Sequence, residues 1–285
     1  MRRVATAALT TLTACALGAA LVAPSMLNAQ PRTAPPSTAL ETHGHTADLA
    51  LPHGMVGRHR TELDLAETAR VTNVRLAASF LEGATVRPHH TLSFDDRVGP
   101  RTQARGFLDA ETLLYGVPTP GIGGGICQVA TTLFVAAWTA GLRVSEVHPH
   151  TRLPHYARPG MDAAIADGRY DLVVENPFDH LLTIRARVDR NQLVVELATE
   201  SAPLEVAWDA TIEETSALRE RIERDRHLAP GTRQVVDEGA VGWSVLRTRV
   251  VREGDHAHRD RNHVRYHMFP RVVRVGRTAP TSPAR

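Results

Sequence analysis

The residue best placed to do chemistry in this 285-residue chain is a cysteine that follows a glycine run, in Gly121-Ile122-Gly123-Gly124-Gly125-Ile126-Cys127-Gln128. Backbone without Cβ atoms turns sharply and lets a ligand approach its N–H groups. The residues that follow include Val129, Leu133, Phe134, Ala136, Ala137 and Trp138, apolar nearly all round, and the run ends at Gly141, suited to a left-handed helix stop. Cys127 therefore stands at the start of a buried helix. First-turn N–H groups and the helix dipole stabilise a thiolate there, and cysteines so placed fall from about 8.5 into a range of roughly 3.5 to 7.5. The backbone of Gly123, Gly124 and Gly125 could also hold the oxyanion of a tetrahedral intermediate.

A thiolate nucleophile needs a base, and the base needs an orienting group. His148 and His150, in Val147-His148-Pro149-His150, lie at the end of the strand that leaves the helix. The proline between them sends the two rings in different directions, and His148 ranks first. Asp162, in Pro159-Gly160-Met161-Asp162, and Asp171 are the candidates to orient the imidazole. On a helix Thr131 shares the face of Cys127, while Gln128 is turned about 100° away and could reach a substrate amide. Arg101 and Arg105 lie in a polar loop, where they could bind carboxylates of a peptide or simply face solvent. Among His89, His90, His148, His150, His155 and Cys127 no pair shows a helical i, i+4 arrangement or a Cys-x-x-Cys spacing, so neither a metal nor an organic cofactor is expected.

These residues need a scaffold. An apolar period over 63–81, stopped by Gly83, predicts a helix beginning near Thr68. Short strands are expected at Thr91–Phe94, Leu142–His148, Asp171–Glu175, Leu182–Asp189 and Gln192–Thr199, with Asp189-Arg190-Asn191 as a hairpin loop and a short helical stretch over Asp109–Tyr115. The fold class is α+β: an antiparallel sheet packed on the helix after Cys127, closed by a small C-terminal β appendage. The expected organisation is an export segment over 1–29, a disordered linker over 30–60, the main domain over 61–205, a charged linker or helix over 206–230, the appendage over 231–277 and a disordered tail over 278–285.

Arg2 and Arg3 before the uncharged run Val4–Ala23, with Leu27-Asn28-Ala29 as a cleavage site, predict export to the periplasm or cell envelope. The same run could instead remain as a membrane tether, or Leu12-Thr13-Ala14-Cys15 could carry a lipid. With Cys15 in that segment, Cys127 has no intramolecular disulfide partner. The net charge of +2 is scattered rather than striped, which argues against a nucleic-acid partner.

One resemblance sharpens this reading. Thr91-Leu92-Ser93-Phe94, Val98-Gly99-Pro100-Arg101-Thr102, Gly106-Phe107, the run Gly123 to Leu133, Glu146-Val147-His148-Pro149-His150, Pro159-Gly160-Met161-Asp162-Ala163 and Glu175-Asn176 resemble the VanW domain family, with Arg70 and Asn73 similar to its upstream Arg and Asn. The resemblance covers roughly Arg70 to Glu200. It departs at Pro88-His89-His90, where the family usually shows Pro-Gly-Glu. The resemblance implies an exported bacterial protein of the kind found in vancomycin-resistance clusters, and some members are described as L,D-transpeptidases that make 3-3 crosslinks. It would make Cys127 the nucleophile of acyl transfer on peptidoglycan stem peptides, with His148 or His150 as base. A non-catalytic envelope-binding module and a cysteine peptidase or amidase on the same substrate are the alternatives.

Overall fold

A computed structural model of the protein describes residues 42–45, 53–114 and 116–276. The expected export segment, most of the linker and the tail over 278–285 lie outside the described residues, as does Tyr115.

The interval read as linker contains two strands, β1 (Thr42–His45) and β2 (Met55–Glu62). Helix α1 (Thr68–Leu81) lies where the apolar period places it and turns Val71, Val74, Ala77, Ala78 and Leu81 inward. Next come β3 (Ala84–Val86), β4 (Thr91–Ser93) and the short α2 (Phe94–Val98), whose first turn is capped by the Ser93 hydroxyl accepting from the Asp96 N–H at 3.0 Å. Strands β5 (Asp109–Leu114) and β6 (Val117–Ile122) form a two-stranded hairpin turning at Gly116, whose φ is +80°. The first of these replaces the short helical stretch expected over Asp109–Tyr115. An isolated helical turn is costly to nucleate, whereas every residue of β5 finds a cross-strand partner in β6.

Helix α3 (Ile126–Thr139) follows the glycine turn, and it leads into β7 (Arg143–Glu146), β8 (Val173–Glu175), β9 (Leu182–Asp189) and β10 (Gln192–Ala198). The central sheet runs β2-β10-β9-β3, antiparallel throughout. Both helices pack on it. Gly57 of β2 allows the closest approach of α3, since a Cβ there would stand 2.7 Å from the Cβ of Ala140 and 2.8 Å from the Ala136 carbonyl oxygen. A smaller sheet, β4-β8-β7, covers the other flank of the core through Leu92 and Val174. Antiparallel sheets with few helices make this an α+β fold.

The rest of the chain is β structure: β11 (Glu205–Ser216), β12 (Glu220–Asp225), β13 (Arg233–Asp237), β14 (Gly242–Glu253), β15 (His256–Tyr266) and β16 (Arg271–Gly276). The first two occupy the interval read as a charged linker or helix. Glu205, Glu213, Glu214, Glu220, Arg221 and Arg224 sit at exposed strand positions, while β11 buries Val206 and Ala210. One sheet has the order β1-β11-β14-β15 and another β12-β16-β13, the β12–β16 pair being parallel.

This C-terminal module grips α3 directly. The guanidinium groups of Arg247 and Arg249, 4% and 3% exposed, lie 4.4 and 3.9 Å from the Trp138 ring. Arg249 Nη1 also donates to the Trp138 carbonyl at 2.7 Å, placing a cation at the negative end of the helix dipole. On another side Arg152 donates to both Asp237 oxygens at 3.1 and 3.0 Å and to the Gly239 carbonyl at 2.7 Å.

Candidate active site

Cys127 is the second residue of α3, half-buried and free of any disulfide. The turn before it is fixed by steric need. Gly125 is left-handed, with φ +110°, and a Cβ on it would stand 2.8 Å from Val74. A Cβ on Gly124 would come within 2.4 Å of the Glu111 carbonyl oxygen. Gly123 spends its N–H on the Leu108 carbonyl at 3.0 Å, and Asn73 holds the Gly124 carbonyl at 3.0 Å. All three glycines are buried, so they lock the turn against α1 and β5 rather than lining an open surface. At the helix start the N–H groups of Ile126 and Gln128 bond to the carbonyls of Gly123 and Gly125. The Cys127 N–H has no partner among the described residues, which leaves it as a donor for a developing oxyanion.

The thiol meets the irregular segment that follows β7. The Ile165 N–H donates to Cys127 Sγ at 3.4 Å, and the thiol can donate in return to the Ile165 carbonyl at 3.7 Å. That segment is held to the same face of α3 one turn on, where Thr131 Oγ1 accepts from the Ala163 N–H at 3.0 Å and donates to its carbonyl at 3.3 Å.

Between these contacts the segment brings His150 and Asp162 together. Asp162 Oδ2 accepts from His150 Nδ1 at 2.6 Å and from the His150 backbone N–H at 2.8 Å. Both side chains are buried, and Asp162 is wholly inaccessible. With Nδ1 committed to the carboxylate, Nε2 is the nitrogen available to the thiol, the arrangement a general base requires. Burial opposes a charged imidazole here, but Asp162 and Cys127 outweigh it and push His150 up to about 10. Burial likewise pushes the Cys127 thiol up. Hydrogen bonding and charge from His150 override that, aided by the Ile165 backbone and Arg70, and hold the thiol below its ordinary value. The two shifts run in the directions that favour passing the thiol proton to the imidazole.

The other candidates are placed as follows. His148 turns away to Glu146, with Nε2 at 2.9 Å from the carboxylate, and its ring stacks on Tyr170 at 4.5 Å between centroids. Asp171 caps α2, accepting from the Asp95 N–H at 2.8 Å. Arg101 is committed to Asp95 and Asp167 and has 8% of its side chain exposed. Arg105 donates to the Pro100 carbonyl at 2.7 Å and lies over the Phe80 ring. Gln128 is buried, donating to the Glu62 carbonyl at 2.7 Å and to Thr61 Oγ1 at 3.1 Å while accepting from Arg70 Nη2 at 3.0 Å. It ties α3 to β2 and steadies Arg70, which lies 5.6 Å above the Tyr156 ring. Among the described residues no group of three or more His, Cys, Asp or Glu gathers to hold a metal.

Two members of the site carried no signal in the sequence. Tyr156 sits beside Thr131 and the thiol, and burial, reinforced by the charge of Cys127, keeps its phenol protonated well above the ordinary range. Tyr266, at the end of β15, donates its hydroxyl hydrogen to Asp162 Oδ1.

Comparison with known proteins places this arrangement. Residues 69–198 match the model of the family described as VanW like protein. The chain is 34% identical over 142 residues to the uncharacterized protein YoaR of Bacillus subtilis (strain 168), covering 50% of this chain and 47% of that protein. It is 26% identical over 192 residues to the vancomycin B-type resistance protein VanW of Enterococcus faecalis (strain ATCC 700802 / V583), covering 63% of this chain and 70% of that protein. No solved structure matches. The helix, the cysteine turn and the histidine–aspartate segment all fall inside the stretch that resembles the VanW-like family.

Proposed function

We propose that the protein is a cysteine acyl-transfer enzyme of the cell envelope acting on peptidoglycan stem peptides, in the manner of an L,D-transpeptidase. The observation that carries this reading is the Cys127 thiol beside a histidine whose Nδ1 is fixed at 2.6 Å by a fully buried aspartate, at the start of a helix. A structural cysteine has no need of such a partner, and a mere binding surface gains nothing from a lowered thiol.

The geometry supports the following course of reaction. The thiolate attacks the carbonyl carbon of a D,L-configured peptide link, and the oxygen gains charge near the Cys127 N–H. The C–N bond then breaks as His150 Nε2 gives its proton to the leaving amine, and a thioester remains on the sulfur. An amine from a second stem attacks that thioester, His150 takes the amine proton, and the sulfur leaves as thiolate. Water as acceptor would make the same site a hydrolase. Arg70 and the neutral Tyr156 phenol flank the sulfur and are suited to the polar groups of a peptide acceptor or donor. Export, expected from the N-terminal segment, would bring the protein to this substrate, and the name of the E. faecalis relative ties one similar protein to vancomycin resistance.

The test is incubation of the purified protein, and of Cys127→Ala, with peptidoglycan fragments followed by mass spectrometry. A thioester adduct on Cys127 and new crosslinked dimers, both absent from the variant, are expected. Release of the terminal residue without dimers would establish a hydrolase, and neither product beside an active control enzyme would leave a binding module.

A further inference from the structure

We propose that Tyr266, contributed by the C-terminal module, is a positioning residue that sets the carboxylate of Asp162 for His150 and so controls the reactivity of Cys127. The inference rests on the proposed thiolate–imidazolium pair and extends the site beyond the family-matched residues 69–198.

Asp162 has two oxygens and two kinds of partner. Oδ2 serves the imidazole and backbone of His150, while Oδ1 receives the hydroxyl of Tyr266. With the side chain wholly buried, no solvent stands in for either contact. The same phenol oxygen accepts from the Gly160 N–H at 2.7 Å, two residues before the aspartate. Arg247, one strand over on β14, donates to the Gly160 carbonyl at 2.8 Å. Both backbone groups of Gly160 are thus held by the C-terminal module. Gly160 also packs closely on it, because a Cβ there would stand 3.0 Å from Val245.

The hydroxyl therefore fixes the carboxylate directly and through the backbone that carries it. Tyr266 is itself 2% exposed and braced edge-on against Trp243, with ring centroids 6.4 Å apart. Burial, and then the charge of Asp162, keep its phenol protonated well above the ordinary range, so it can only donate to the carboxylate at neutral pH. The charged and titratable groups that face this cluster are His150 and Cys127 on one side, Tyr156 and Arg70 beside the thiol, and Arg247 behind Tyr266, with Arg249 and Asp260 beyond it. Among them Tyr266 is the one that hydrogen bonds the oxygen of Asp162 that His150 does not use.

Removing the hydroxyl leaves a buried anion short of one donor and the Gly160 N–H short of its acceptor. The carboxylate then relaxes away from its alignment with Nδ1, and the imidazolium loses part of its support. The test is the pH dependence of Cys127 alkylation by iodoacetamide in the full chain and in Tyr266→Phe, which keeps the ring and its packing. The variant should show a reactivity midpoint about 0.5 to 1 pH unit higher and alkylation at neutral pH roughly three- to tenfold slower. A lower melting temperature with an unmoved midpoint would reduce Tyr266 to packing and overturn the proposal. Site-specific fluorotyrosine at 266, which keeps the ring and strengthens the donor, should move the midpoint away from the wild-type value, and an unmoved midpoint in that folded protein would overturn the proposal even if Tyr266→Phe does not fold. A wild-type thiol that titrates like a free cysteine would overturn the parent reading, a result distinguishable from a low wild-type midpoint that Tyr266→Phe leaves in place.

Discussion

Replacing Asp162 by Asn tests the thiolate–imidazolium pair most directly. The Asn side chain matches the carboxylate in shape but carries no charge, and it has one acceptor oxygen where three donors converge: His150 Nδ1, the His150 N–H and the Tyr266 hydroxyl. If its NH2 group faces Nδ1, the ring must carry its proton on Nε2 and cannot accept one from the thiol. If its oxygen faces Nδ1, the NH2 group opposes a hydroxyl that needs an acceptor. Asp162 is one of the two groups that raise His150 against its burial. Losing a charge-assisted hydrogen bond in a buried site costs about 2 to 3 kcal/mol, or about a 30- to 150-fold fall in the ion-pair population. The assay is alkylation rate against pH, with thiolate absorbance near 240 nm as a second readout. Asp162→Asn should alkylate at least about 30-fold more slowly at pH 7, with its midpoint moved toward that of a free cysteine near 8.5. A variant that is folded by circular dichroism and keeps the wild-type midpoint would refute the reasoning.

Two further outcomes are expected. Gly124→Ala should lower stability by about 2 kcal/mol or more, because its Cβ meets the Glu111 carbonyl oxygen at 2.4 Å and backbone cannot swing aside; a denaturation midpoint close to wild type would contradict this. Asp237, partly buried against Arg152 and the Gly239 N–H, is held below its ordinary 3.8 because these partners outweigh burial, so its contribution is present above 3.8 and is lost as pH falls through the lower folded value. The stability difference between wild type and Asp237→Asn should therefore be constant from neutral pH to about 4 and shrink in stronger acid. A difference independent of pH would show that the ion pair with Arg152 adds nothing.

Much of the scaffold could be read from local pattern, and much of the site could not. Helices α1 and α3 and the β9–β10 hairpin have a strong apolar period with stop residues, and they lie where that period places them. The hairpin loop was legible as well, since Arg190 adopts the positive φ of 53° that a tight turn demands. Strand β5 was not, because Glu111, Leu113 and Leu114 favour a helix taken alone and only pairing with the proline-marked β6 decides otherwise. The alternation in β11 is masked by its charges, which resemble a solvated helix until β1 and β14 are seen to pair with it. At the site, types and spacing singled out Cys127 and left His148 and His150 open with Asp162 or Asp171. The pairing of His150 with Asp162 is made by an irregular stretch between β7 and β8, whose path depends on Thr131 of α3 and on Tyr266 far along the chain. No period in the sequence encodes a contact of that range.

The β5–β6 hairpin has one more consequence. It stands apart as a two-stranded ribbon and exposes Leu113, Val117 and Ile122, features that invite a second chain to add itself as a third strand. Pro118 and Pro120 occupy alternate positions of β6, so along one border of the ribbon successive amide hydrogens are missing. A stray strand approaching there finds carbonyls but misses two successive donors, so it cannot complete a regular ladder. The ribbon can thus keep exposed apolar side chains without seeding self-association through that border.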